Sequence, residues 1–117
     1  MIFVYHLTDA ASRAMIDAVY DRTIVRQAAG LLEEGTGYTL VATVEGDDMD
    51  HAYQVTNNID SSWSLSPAPG VTVLGTLPVH DGKTYGYRSS SVGDVLQVDG
   101  PAFVIAPVGF LPLPVAG

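Results

Sequence analysis

The chain has 117 residues, 47% of them apolar, enough for one domain with its own core and too apolar for a disordered segment. Thirteen carboxylates stand against five Lys and Arg side chains, a net charge of −8; so acidic a chain repels phosphate, and direct nucleic-acid binding is not expected. Cysteine is absent, which removes disulfides and thiolate metal sites, and no apolar run approaches the ~18 residues of a membrane span. A single domain over 1–117 in the cytoplasm, without cofactor and without a membrane partner, is the expectation.

In chain order, "MIFVYHLTD" lacks a charged leader region and a small-residue cleavage site. Ile2 to Leu7 therefore reads as a first, buried strand. Thr8 or Asp9 offers a capping oxygen for a helix. Ala11, Met15, Ala18 and Val19 form one apolar stripe at helical spacing, and Val25, Ala28, Ala29 and Leu32 repeat it. The intervening "YDRT" is compatible with one long helix or a break into two, and Gly35 and Gly37 end the helical region. Alternation predicts a second strand, with Tyr38, Leu40, Ala42 and Val44 on one face. Asp47 or Asp48 then caps a short helix with Met49, Ala52, Tyr53 and Thr56 inward, ended by Asn57 and Asn58.

Residues 60–70, "DSSWSLSPAPG", read as a loop. Its Trp63 reads first as a plug on the core and second as a binding anchor. "VTVLGTL" predicts a strand, and Asp81-Gly82 a hairpin turn. "TYGYRS", "DVLQV" and "AFVIAPVGFL" predict further short strands, with turns at Asp99-Gly100-Pro101 and Pro107. The proline-rich tail 111–117 favours extended polyproline geometry. The order of elements predicts an α+β fold: a mainly antiparallel sheet of short strands packed against one long, or two short, N-terminal helices.

Four groups of residues invite a chemical reading. Ser89, Ser90 and Ser91 lie near Asp94, with His6, His51 and His80 elsewhere, so a nucleophile, base and acid are all present by type. No G-x-S-x-G elbow accompanies them, and the plainer reading is that these side chains satisfy backbone groups in a turn. "HDGKT" has one glycine where a phosphate loop needs two. Glu45, Asp47, Asp48 and Asp50, beside His51, lack the EF-hand spacing and favour the positive end of a helix without any metal. No two histidines are spaced i, i+4, so no zinc helix is expected.

The segment "RSSSVGDVLQVDGPAFVIAPVGF" carries a resemblance to the YodL-like family, small domains of bacteria, phages and other mobile elements. In that family a serine-rich S-x-S-V-[GS]-D stretch leads into a strand, and a turn, a second strand and Gly-Phe follow. Here the match runs from Ser89 to Phe110, and "TNNIDSSW" is similar to what precedes the motif in phage members. The chain departs from the pattern at "VIAPVGF", where an aromatic-aromatic-Asp pattern is common before the Gly-Phe. The resemblance implies an α+β domain in a mobile-element context and carries no activity.

Arg88, Ser89, Ser91, Gly93, Asp94, Gly109 and Phe110 are accordingly expected to shape turns, with Arg88 pairing an acid or holding loop carbonyls. The expected function is non-enzymatic. A basic region of a host or element-encoded protein is expected to bind an acidic surface that includes Glu45, Asp47, Asp48, Asp50, Asp60 and Trp63. Two alternatives are acidic mimicry of nucleic acid against a DNA-binding enzyme, and a small-ligand or catalytic module built on Arg88 and Ser89–Ser91. Short edge strands also make a second copy of the chain a candidate partner.

Overall fold

The computed structural model describes residues 1–21, 23–59 and 61–114, and within these not the side chains of 17–21. Ala18, Val19, Asp60 and the last three residues of the expected tail thus lie outside what is described. Among the described residues, eight strands and three helices follow in the order β1 (Ile2–Leu7), α1 (Asp9–Asp21), α2 (Ile24–Glu34), β2 (Tyr38–Val44), α3 (Met49–Val55), β3 (Val71–Val73), β4 (Val79–His80), β5 (Lys83–Thr84), β6 (Val95–Val98), β7 (Ala102–Ile105) and β8 (Phe110–Pro112). Six strands form one sheet in the order β3-β2-β1-β6-β7-β8, every neighbour antiparallel. The mixed α+β architecture with its helix-backed antiparallel sheet is as the sequence predicts.

The sheet separates two apolar clusters. Leu7, Val95, Val104 and Leu113 pack with Ala11, Met15, Ile24 and Ala28 of the two N-terminal helices. Ile2, Val4, Leu96 and Ile105 pack with Ala52 of α3 and with Trp63. Adjacent residues such as Val95 and Leu96 join opposite clusters because side chains alternate along a strand. The N-terminal helices therefore cover one face, and α3 with the connection after it covers the other.

Local signals explain most boundaries. The Thr8 hydroxyl accepts from the Ala11 amide at 3.2 Å, capping α1. The helical region breaks in two, and α2 ends on Gly35 in the left-handed conformation, its amide shared between the Leu31 and Leu32 carbonyls. Asp48 caps α3 by accepting from the His51 amide at 3.2 Å. Asp81 and Gly82 both take positive φ (51° and 75°) and join β4 to β5 in a two-residue turn.

Two expectations are corrected. Tyr38, Leu40, Ala42 and Val44 do not share a face. Val4 pairs with Ala42 but Tyr5 with Leu40, so Val41 is the extra residue of a bulge. Val41, Ala42 and Val44 enter the α3-side cluster, whereas Tyr38, opposite Leu7, packs on the side of α1 and α2. "TYGYRS" contributes only Thr84 to a strand. Beyond it, side chains of the 57–64 segment take the backbone bonds: the Tyr87 amide donates to Ser64 Oγ and the Tyr87 carbonyl accepts from Asn58 Nδ2. The proline-rich tail begins inside the last strand. Leu111 and Pro112 belong to β8, and Leu113 is buried with its amide donating to the Ala102 carbonyl at 2.8 Å.

Candidate functional site

The serine-rich motif folds around Asp94, whose side chain is fully buried. Its carboxylate accepts four hydrogen bonds: from the Leu7 amide (2.8 Å), the Ser91 amide (2.8 Å) and both terminal nitrogens of Arg88 (2.6 and 2.8 Å). The Asp94 amide in turn donates to the Ser91 carbonyl, closing the turn. Gly93 is required at its position. It has φ of 96°, and a Cβ there would lie 2.7 Å from Leu7 Cδ1 and 3.0 Å from Met15 Cγ.

Arg88 does both things expected of it. Besides the bidentate pair with Asp94, it donates to the carbonyls of Leu7 (3.1 Å) and Ser89 (3.0 Å). The four N–H groups of its two terminal nitrogens are thereby used. The hydrogen bonds to Asp94 are the largest influence raising the Arg88 pKa, against some desolvation. Ser89 Oγ accepts from the Asn58 amide at 2.8 Å, while Ser91 is solvent-exposed. Gly109 takes positive φ in the β7–β8 turn, and Phe110 packs edge-on against Tyr53.

Ser90, the middle serine, is the buried one, and it meets His6 at 2.9 Å (Oγ to Nε2) and Thr56 at 2.8 Å (Oγ to Oγ1). A serine, a histidine and a carboxylate thus converge, and the direction of each hydrogen bond decides what they can do. The Thr56 hydroxyl lies 2.8 Å from the Ala52 carbonyl, which only accepts, so its one proton goes there. Thr56 Oγ1 must then accept from Ser90, and Ser90 Oγ, its proton committed, must accept from His6 Nε2–H. A general base needs the reverse, a ring nitrogen accepting from the serine. The Asp94 carboxylate lies 3.9 Å from Nε2, the same nitrogen that faces the serine, and not across the ring where an orienting acid belongs.

Burial agrees with this wiring. His6 is 4% and Ser90 1% exposed, and among the described residues neither lines the concavities described below. Trp63 and Tyr87 present their rings edge-on to the imidazole, at centroid distances of 6.0 and 6.4 Å. Desolvation lowers the His6 pKa to about 4, more than the nearby Asp94 raises it, and Arg88 lowers it further. The 3.9 Å His6–Asp94 approach is therefore a contact of a neutral imidazole at pH 7, because Arg88 already neutralises the carboxylate. Burial, then Asp94, also raises the Tyr38 pKa; its hydroxyl donates to the Gly93 carbonyl at 2.7 Å.

Surface concavities lie away from this buried group. One of about 320 Å³ lies between α1 and the motif, lined by Ser12, Arg13, Ile16, Arg88, Ser91 and Val92. The larger, about 730 Å³, lies between α2 and the β6–β7 turn and includes Leu32, Gln97, Pro101 and Leu113. The titratable cluster lines neither of them, save for Arg88 at the rim of the first.

Glu45, Asp47, Asp48 and Asp50 are all exposed, and none takes part in an ion pair among the described residues. No group of three or more metal-ligating side chains forms among those residues. Trp63 is corrected as a partner-binding residue. It is 3% exposed, stacked on Tyr87 at 5.9 Å, with its indole N–H donated to the Arg88 carbonyl at 2.8 Å. Asp60 lies outside the described residues.

His6 and Thr56 are the members of the buried group that the motif does not contain. His6 falls on the face of Ile2 and Val4 because it stands four and two residues after them in a strand. Nothing in the sequence marks Thr56 as the neighbour of Ser90.

Comparison with family models, with curated proteins and with solved structures finds no match to this chain. No helix among the described residues is long and apolar enough to cross a membrane.

Proposed function

We propose that the protein is a non-enzymatic binding module of the cytoplasm that acts by contact with a basic surface of a second protein. The observation that carries this reading is the exposed run Glu45, Asp47, Asp48 and Asp50 between β2 and the first turn of α3, with no ion-pair partner among the described residues. Its bases are ordered, since the Glu45 amide donates to the Gly70 carbonyl at 3.0 Å and Asp48 caps α3. Uncompensated carboxylates on an ordered segment attract a basic partner at long range. The resemblance of the motif to the YodL-like family favours a bacterial host or a mobile element as the source of that partner.

The other two readings are less well supported. Nucleic-acid mimicry needs carboxylates along one face, but Asp9, Glu33 and Glu34 belong to the helices on one side of the sheet, and Asp48 and Asp50 are the cap and first turn of α3 on the other. A ligand or catalytic site at Arg88 needs free donors or an activated hydroxyl. Arg88 spends its terminal N–H groups internally, and Ser90 has its proton committed to Thr56.

The test is capture from bacterial lysate by the immobilised protein and by a variant carrying Glu45→Lys, Asp47→Lys and Asp50→Lys, with Asp48 kept to preserve the helix cap. The native protein is expected to retain a stoichiometric partner that raised salt releases, and the variant to retain none. No stoichiometric partner, or equal retention by both, contradicts the proposal.

A further inference from the structure

The two edges of the sheet are not equivalent, and the difference bears on how a partner binds. On the β8 edge, Val104 and Leu111 form a hydrogen-bonded pair in the ladder set by Leu113 N–H to Ala102 O and Ala106 N–H to Gly109 O. Phe110 and Pro112 therefore direct their backbone outward, and Pro112 has no N–H to give. A proline at that place blunts the edge.

The β3 edge carries no such block. Glu45 N–H donates to Gly70 O and Leu74 N–H to Val41 O, which fixes the ladder: Thr72 directs its groups inward to Thr43, and Val71 and Val73 direct theirs outward. The Val71 amide is taken by the Ala68 carbonyl at 3.1 Å. Among the described residues, the Val71 carbonyl and both the amide and the carbonyl of Val73 have no protein partner. They form a short open template for another strand. Its N-terminal end adjoins the acidic run, since a Cβ on Gly70 would lie 3.4 Å from Glu45 Cβ.

We propose that the free edge of β3 accepts an extended, lysine- or arginine-bearing segment of a partner protein as one more strand of the sheet. Main-chain bonds to Val73 and Val71 supply register, and the carboxylates from Glu45 onward select the charge of the residues that run past Gly70. This rests on the acidic-surface reading above, for which it names the mode of contact.

The probe is a blocked peptide KKTVTVT, with EETVTVT as its charge-swapped control, and the readout is amide hydrogen exchange along Val71–Leu74 of the full chain. The basic probe is expected to slow exchange of the outward Val73 amide by about tenfold or more at saturation. Because a proline at 73 leaves no amide to read there, the Val73→Pro variant is assayed by fluorescence anisotropy of the labelled basic probe, which is expected to bind the native chain and not the variant, since the substitution removes an outward N–H that no internal bond uses. Should that variant melt far below the native protein, the basic probe with its backbone N-methylated at alternate residues replaces it, and protection of the native Val73 amide is expected to vanish. If neither probe protects Val73 while the charge-reversed variant still loses its partner from lysate, strand addition is overturned and the acidic surface stands. Equal protection by the two probes overturns the charge selection.

Discussion

Replacing Asp94 by Ala is expected to cost about 4 kcal/mol of stability. The figure follows from what the carboxylate leaves behind. The amides of Leu7 and Ser91 lose their acceptor at a fully buried place, at roughly 1–3 kcal/mol each. Arg88 adds less than a buried cation would, because its side chain is 42% exposed and regains water. A loss of about 4 kcal/mol is a large share of the roughly 5–15 kcal/mol that holds a domain together. Trp63, the only tryptophan, stacks on Tyr87 and donates to the Arg88 carbonyl, so its fluorescence reports on this region during urea unfolding. With a urea slope of about 1–3 kcal/mol per molar, the midpoint falls by about 2 M. Arg88→Gln should cost less than Asp94→Ala, since Asp94 keeps both amides and water enters beside it. A loss below about 1 kcal/mol for Asp94→Ala, or the opposite order of the two variants, refutes the view that Asp94 organises the motif.

Gly93→Ala combines an unfavourable φ with contacts on Leu7 and Met15, and is expected to cost about 1–3 kcal/mol in the same assay. Asp48→Ala removes the α3 cap and should cost about 1 kcal/mol, whereas Asp47→Ala stays within about 0.5 kcal/mol, measured by thermal melting. Stability should also fall with acid through His6. Its folded pKa of about 4 lies below the ordinary 6.5, so the unfolded chain takes up the proton first. The contribution is complete above pH 6.5 and is lost as pH falls toward 4, up to about 3 kcal/mol, and His6→Gln should flatten that slope in urea titrations at stepped pH.

The parts of the fold that were legible in the sequence are those governed by local chemistry. The apolar, β-branched and aromatic run "IFVYHL", the Asp48 cap, the Gly35 helix end and the Asp81-Gly82 turn each act over a few residues. What escaped depends on distant partners. The Val41 bulge is set by pairing with β1, and no residue in "YTLVATV" announces it. "TYGYRS" has strand composition, yet Ser64 and Asn58 take its backbone bonds. Proline-rich sequence suggested an extended tail, but not that Leu111 and Pro112 pair with β7, where the edge of a sheet tolerates a missing N–H. In the motif, the turn at Gly93-Asp94 was legible. The union of Ser90 with His6 and Thr56 was not, since it joins residues 84 and 34 positions apart.

The central claim is that serine, histidine and carboxylate meet here to wire the backbone and not to activate a nucleophile. Long-range proton–nitrogen NMR of the His6 imidazole tests it most directly. The expected spectrum is that of a neutral ring with its proton on Nε2, unchanged from pH 8 until titration near pH 4. A proton on Nδ1, leaving Nε2 to accept from Ser90, or titration near neutrality, contradicts the account.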